Sequence, residues 1–444
     1  MKKLFVFGVA ALLLLGFSVS AMAEEEVPKE IRIGSVSSIT GMFAGFGEGG
    51  SWGLTQAFKD VNKLGGIYVK KYGKRIPVKH ILLDCESDPV KAGTLAEDLI
   101  LREKVHFLVN SQEPITVQIQ KNNLCDKYKI PNVAGTGPLE PYLGVREGKL
   151  PPWQYTWCWS FGITLEPPKG DFRFGKPGFT ILGTWKPWLD MFGPKTNKKV
   201  GIYASDDPDG IGWYGLFTQK AKEWGYEPIG TENRSTLFPM GTTDFRPIIE
   251  NWKKNNVEII LGNCPAPDFG TLWRQARSLN FKPKMVGAAR AALFYTEVNA
   301  WGGDLPLGVF IEMWWHPSYD PKECPGIGDT TPQSLAQRWS QEKGQPLNIA
   351  IGWSYCLAQV MIAAIEKAGT LDREAVNKAI SETDTKTIAY RCVFDPKMHF
   401  NWSPVFIGQW FQTKAKEKWE LLPVYSDHKF IHTSAKPLFP IPYK

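Results

Sequence analysis

Residues 31–62, IRIGSVSSITGMFAGFGEGGSWGLTQAFKDVN, decide the fold class. Ile31 to Val36 reads as a short apolar strand and is followed by a glycine-rich loop. The helix after it places Leu54, Ala57, Phe58, Val61 and Leu64 on one face at spacings of three and four. A strand feeding a helix through small residues is the first half of a βαβ unit. Loops of this kind sit at the carboxyl ends of parallel strands, where open α/β sheets bind ligands.

Outward from this stretch the alternation repeats. Val78 to Asp84 is a strand, and Asp88 caps a helix that begins at Pro89 and runs over Val90 to Arg102. The acids Asp84, Glu86 and Asp88 lack the glycine and distal glutamate of a calcium loop, so no metal is expected there. Val105 to Val109 and Ile130 to Ala134 are the next strands, with a helix between them reaching Lys127. From Tyr142 to Pro194 proline, glycine and tryptophan break the pattern. Alternation then resumes: strands at Lys199–Ala204, Val257–Leu261, Lys284–Gly287 and Gly308–Trp315, with helices at 212–224, 243–254 and 270–279 between them. A long helix is expected over Ile349–Ala368, a shorter one over Asp372–Glu382, and a late strand over Phe406–Gln412. The last 25 residues, rich in proline and aromatics, are expected on the surface.

The 444-residue length favours two lobes. Net charge is +7, or +5 once Lys2 and Lys3 are removed, and the basic residues are scattered, which argues against nucleic acid as a partner. Lys2-Lys3, the apolar run Leu4–Ser18 and the small residues around Ala21 and Ala23 read as a secretory signal over residues 1–23 that is cleaved on export. Seven cysteines contain no Cys-x-x-Cys pair, and their odd number leaves at least one outside any intramolecular disulfide. Six dispersed histidines, no Gly-x-Ser-x-Gly elbow after the signal, no His-Glu-x-x-His and no phosphate loop ending in Gly-Lys-Ser/Thr leave no legible catalytic or metal set, so no enzyme and no cofactor are expected. Gly45-Phe-Gly47-Glu-Gly-Gly50 spells a dinucleotide fingerprint, but it starts well past the strand and would set Glu48 against a pyrophosphate.

Several of these residues carry a resemblance. Ile33-Gly34, Thr40-Gly41, Phe46-Gly47 and Asn62-x-x-Gly65-Gly66-Ile67 resemble the opening of type I periplasmic binding proteins of the branched-chain amino acid receptor group. Asp84 through Ala92, Val200-Gly-Ile-Tyr203, Thr243-Asp244-Phe245, Arg274–Arg277, Tyr355 and Ala364–Gly369 follow in the family's order. The resemblance implies an α/β protein of two Rossmann-like lobes joined by a three-crossover hinge. The lobes close on a small solute for an ABC permease of the inner membrane, or signal its presence to a membrane receptor. It also implies a periplasmic location. The expected lobes are residues 24–150 with 316–388, and 151–315 with 389–444.

Carried over position by position, the resemblance places a ligand among Phe46, Thr116, Gly135, Thr136, Asp209, Arg290, Trp314 and Tyr355. Where the family offers an acid to a ligand ammonium, this chain has Ala288-Ala289-Arg290. Two readings stand. Arg290 can fork onto the carboxylate of an organic, aromatic acid. Alternatively it points to solvent, and Asp209 or Glu48 takes the ammonium of an amino acid. Trp314 is expected at the hinge, as packing or as a stacking surface. Tyr355 and Trp353 are either core or tipped into the cleft. Trp153, Trp157, Trp159, Trp185 and Trp188 are expected to pack locally at the cleft rim.

Overall fold

The computed structural model describes residues 26–414 and 419–443, so the expected signal segment lies outside the described residues. Two sheets organise the chain. The first has the order Phe400–Trp402, Thr156–Ser160, Asn132–Gly135, Phe107–Asn110, Ile31–Ser37, Val78–Asp84, every neighbouring pair parallel. The second runs Leu237–Phe238, Lys199–Ser205, Ile259–Asn263, Met285–Ala289, Phe310–Met313, all parallel, and is completed by antiparallel Phe406–Gln412 and Trp419–Tyr425. Ile259–Asn263 and Met285–Ala289 are buried along their whole length, as parallel strands covered by helices on both faces must be.

The chain passes between the sheets three times: after Ser160, after Met313, and between Trp402 and Phe406. Val405 donates its N–H to Gly178 O at 2.7 Å, tying the third passage to the first. A hinge of this kind lets two rigid bodies close on what lies between them.

The glycine-rich part of the opening stretch is helix rather than loop. The helix begins at Ala44 and runs to Lys63, taking in Gly45, Gly47, Gly49, Gly50 and Gly53. Glycine weakens a helix, yet here the missing side chains let it press against the Ala350–Ala368 helix and the loop after the first strand. A Cβ on Gly53 would stand 2.1 Å from the Ile351 carbonyl oxygen, and one on Gly47 would stand 2.0 Å from Ser38 O. Gly53→Ala is therefore expected to destabilise by about 1–3 kcal/mol in urea unfolding, although alanine is the better helix former. Leu54, Ala57, Phe58 and Val61 are buried on one face as expected, but Leu64 is 51% exposed because the helix has already ended there.

The expected lobe boundaries are corrected at two places. Thr156–Ser160 lies beyond the expected break at residue 150, yet it pairs with Asn132–Gly135 in the first sheet. Phe400–Trp402, expected in the second lobe, pairs beside it. The physical reason is burial: all five residues of Thr156–Ser160 are enclosed, so its tryptophans are sheet core. Trp153 packs on Tyr142 at 5.3 Å, while Trp185 and Trp188, on the Ile181–Phe192 helix, pack on Phe310 of the second sheet at 4.8 and 5.5 Å. These five tryptophans thus serve two lobe cores and not one rim. The carboxyl-terminal expectation is also corrected: Trp419–Tyr425 is a strand of the second sheet, and Ile431 and Ile441 are buried. Asp88 caps its helix as expected, its carboxylate accepting from Val90 N at 2.7 Å and Lys91 N at 2.8 Å. All seven cysteines are buried and unpaired.

Candidate functional site

The carboxyl ends of the two sets of parallel strands face each other across a narrow cavity lined from both sides. From the first lobe, Phe46 reaches it from the first turn of the opening helix. Gln112, Glu113 and Pro114 come from the loop after Phe107–Asn110, Gly137 and Pro138 from the loop after Asn132–Gly135, and Phe161 from the end of Thr156–Ser160. From the second lobe, Asp209 and Trp213 project from the Pro208–Glu223 helix, and Asn263 ends its strand. Arg290 and Leu293 follow Met285–Ala289, while Glu312 and Trp314 lie at the end of Phe310–Met313. The placement follows from topology: each loop leaves the same end of its sheet.

One wall is aromatic. Phe46 and Trp314 are near-parallel with centroids 6.1 Å apart, Phe161 lies 6.1 Å from Trp314, and Phe46 meets Phe294 edge-on at 4.7 Å. Two of these contacts, Phe46 to Phe294 and Phe46 to Trp314, bring the opening helix against residues of the second sheet's strand ends. Glu297 accepts from the Gly45 N–H in the same region.

The opposite wall is charged. Arg290 is 4% exposed, so it does not point to solvent. Its guanidinium grips Asp207, Nη1 to Oδ2 at 2.9 Å and Nη2 to Oδ1 at 3.2 Å, and donates to Ser205 Oγ. Asp209 Oδ2 is farther off, at 3.4 Å from Nη1. Burial opposes the charge of all three groups. For Asp207 the Arg290 charge and hydrogen bonds outweigh burial and hold the carboxyl below its usual range. For Asp209 burial wins over Arg290, the Asp207 charge adds to the rise, and the carboxyl is pushed up to about 6. Trp213 Nε1 and Asn263 Nδ2 donate to Asp209 at 3.2 and 3.3 Å. Glu312 is driven well above the carboxylate range, by burial first and then by the Asp209 charge. The second-lobe wall therefore holds one matched ion pair, Arg290 with Asp207, and a further acid, Asp209, only partly compensated.

On the first-lobe side Glu113 is fully buried and paired with Lys121, Nζ to Oε2 at 2.6 Å. Next to it starts the Ile115–Tyr128 helix, with Pro114 at its N-cap and no side chain capping it. The first N–H groups of a helix have no intrahelical acceptors and attract negative charge.

Four of the eight expected site residues, Phe46, Asp209, Arg290 and Trp314, meet at this cavity. The other four do not line it. Thr116 Oγ1 donates across the lobes to Asp207 Oδ2 at 3.4 Å. The Gly135 carbonyl accepts from Gln118 Nε2 at 2.9 Å, and the Thr136 carbonyl accepts from Ser160 Oγ at 2.8 Å, so both are scaffold under the loops. Tyr355 turns into the first lobe, where its hydroxyl donates to Asp60 Oδ2 at 2.8 Å beside Arg338 and Thr330. Trp353 is buried core, edge-on to Trp314 at 5.0 Å. Glu48 lies outside this cavity, in a separate depression with Arg274 and Thr296.

Gln112, Glu113, Phe161, Trp213, Asn263, Leu293 and Glu312 were not expected. Glu312 had a readable signal, a single acid inside the apolar run Gly308–Trp315. Asn263 had a weaker one, a polar residue ending a buried strand. Among the described residues no group of three or more His, Cys, Asp or Glu is placed to hold a metal ion, and no helix is long and apolar enough to cross a membrane.

A family model described as periplasmic binding protein matches residues 30–416. The leucine-, isoleucine-, valine-, threonine- and alanine-binding protein of Pseudomonas aeruginosa is 22% identical over 87% of this chain and 91% of its own length. In fold the chain is similar to a leucine-binding protein from Thermotoga maritima, with TM-score 0.67, 18% identity, and coverage of 88% of this chain and 97% of the other. It is similar also to an ABC-transporter solute-binding protein from R. palustris in complex with 4-hydroxybenzoate. There the TM-score is 0.66 and the identity 19%, over 89% of this chain and 96% of the other.

Proposed function

The chain belongs to the periplasmic binding protein family, and on that premise we propose that it captures an amino acid between its lobes and delivers it to an ABC permease. The carrying observation is the engagement of Arg290 by Asp207 and Ser205. With Nη1 and Nη2 occupied, the guanidinium charge is already matched by Asp207, and the cavity offers an incoming group a further buried acid, Asp209. An organic anion would meet that acid without a new cation, at a desolvation cost. An ammonium would supply the missing positive charge. The ligand carboxylate then faces the uncapped start of the Ile115–Tyr128 helix. Phe46, Phe161, Leu293 and Trp314 supply the apolar walls for the side chain. Relatives named for aliphatic amino acids support this reading.

Closure follows from contacts made by both lobes to one ligand, since only differential affinity for the shut state shifts the equilibrium. Calorimetric titration of refolded, ligand-stripped protein is the test. Leucine or phenylalanine is expected to bind at micromolar Kd or tighter, with benzoate at least tenfold weaker. Binding of benzoate or 4-hydroxybenzoate without either amino acid overturns the ammonium reading in favour of an aromatic acid, the ligand class of the R. palustris neighbour.

A further inference from the structure

Glu312 and Trp314 stand two residues apart at the end of one strand, and both line the cavity. Each is 2% exposed. Each carries a polar atom with no partner in the protein: Oε2 of Glu312 and Nε1 of Trp314. Arg290 Nε and Asn263 Oδ1, on the same wall, are likewise unpartnered. Gln112 Oε1, from the facing lobe, is a fifth; buried polar atoms are nearly always satisfied, so these five around one cavity call for a common explanation. An apolar ligand side chain would leave all of them unpaired and displace water as well. Glu312 lies within the strand Phe310–Met313 and Trp314 directly after it, and both line the same cavity.

We propose that Glu312 and Trp314 form a polar subsite that selects ligands bearing a hydroxyl or carbonyl oxygen beyond the α-carbon. The proposal rests on the amino-acid reading only for the placement of the ammonium at Asp209. Trp314 Nε1 can only donate. Burial, and after it the neighbouring Asp209 charge, push the Glu312 carboxyl upward and favour its neutral form, in which the unpartnered oxygen can donate as well. Two donors lining one cavity suit an oxygen acceptor. A site built to bond a substrate oxygen rejects the analogue that lacks it, because its own groups are then left unpaired.

Calorimetry on isosteric or near-isosteric pairs separates this from general affinity: threonine against valine, tyrosine against phenylalanine, 4-hydroxybenzoate against benzoate. The wild type is expected to prefer the oxygen-bearing member of whichever pair it binds by about 10- to 100-fold. Glu312→Gln retains a donor and should keep the preference. Glu312→Leu should bring the ratio near one while the apolar member still binds, an outcome that a merely structural role for Glu312 does not produce. A wild-type ratio near one, a ratio unmoved by Glu312→Leu, or no binding of any of the six compounds overturns the subsite. Binding confined to the benzoate pair with the hydroxyl preference intact overturns the amino-acid reading and supports the subsite.

Discussion

Asp209→Asn is expected to weaken amino-acid binding by about 100-fold or more, the range found when one partner of a buried, hydrogen-bonded charge pair is removed. Asp209 is 3% exposed, and its nearest cation, Arg290 Nη1, is 3.4 Å away and committed to Asp207. The asparagine side chain keeps the shape; its oxygen can still accept from Trp213, and its NH2 can donate to Asn263 Oδ1 once that amide turns over, so the loss reads the charge and not a cavity. The pH dependence carries the sign. The ammonium binds the ionised carboxylate, and burial has raised this carboxyl to about 6 in the empty cavity. Affinity is therefore flat above about 6 and falls by about tenfold per pH unit below it, until the carboxyl of the complex also protonates. Asp207 is held low by Arg290, Glu312 is held high by burial, and Asn263 and Trp213 are neutral. Asp209→Asn should abolish the acid limb. An unchanged profile in the variant would place the ammonium elsewhere.

Lys121→Met is expected to cost about 3–5 kcal/mol of stability in urea unfolding, because it strands the buried carboxylate of Glu113. Both side chains are fully enclosed, with Nζ and Oε2 2.6 Å apart. Lys121 also donates to Val36 O at 2.9 Å, and Glu113 accepts from Ser38 N, so the pair ties the Ile115–Tyr128 helix to the first strand and the loop after it. Removing both charges tests whether the loss comes from the orphaned ion. Glu113→Gln with Lys121→Met should recover most of the stability, since a buried pair replaced by neutral groups is often near neutral. If the double variant is as unstable as the single one, the backbone bonds of Lys121 carry the effect instead. Glu113 and Pro114 line the cavity, so the same pair connects the packing of the first lobe to the wall that meets the ligand.

The scaffold was legible because its signals are local. Alternating apolar strands and helices with capped starts, such as Asp88-Pro89, need only neighbouring residues to be read. The glycines of the opening stretch misled because glycine has two uses. It frees the backbone in loops, and it removes a side chain where elements touch. Only the Ala350–Ala368 helix lying against Gly53, some 300 residues away, selects the second use. The tryptophans of residues 153–188 misled for a related reason: density of aromatics reads as a rim until partners such as Tyr142 and Phe310 are placed.

At the site the division is sharper. By itself the sequence determined a two-lobed α/β binding protein and brought Phe46, Asp209, Arg290 and Trp314 forward as cleft residues. It could not assign their charges. A guanidinium in a one-dimensional chain is free to take a carboxylate ligand, and Arg290 lost that freedom to Asp207, 83 positions away, only through folding. The same folding raised Asp209 and Glu312 by burial and turned Tyr355 away to Asp60. Fold class is written in periodicity, which is a property of neighbours along the chain. The character of the site depends on burial and on which charges meet, and these exist only once the two sheets face each other.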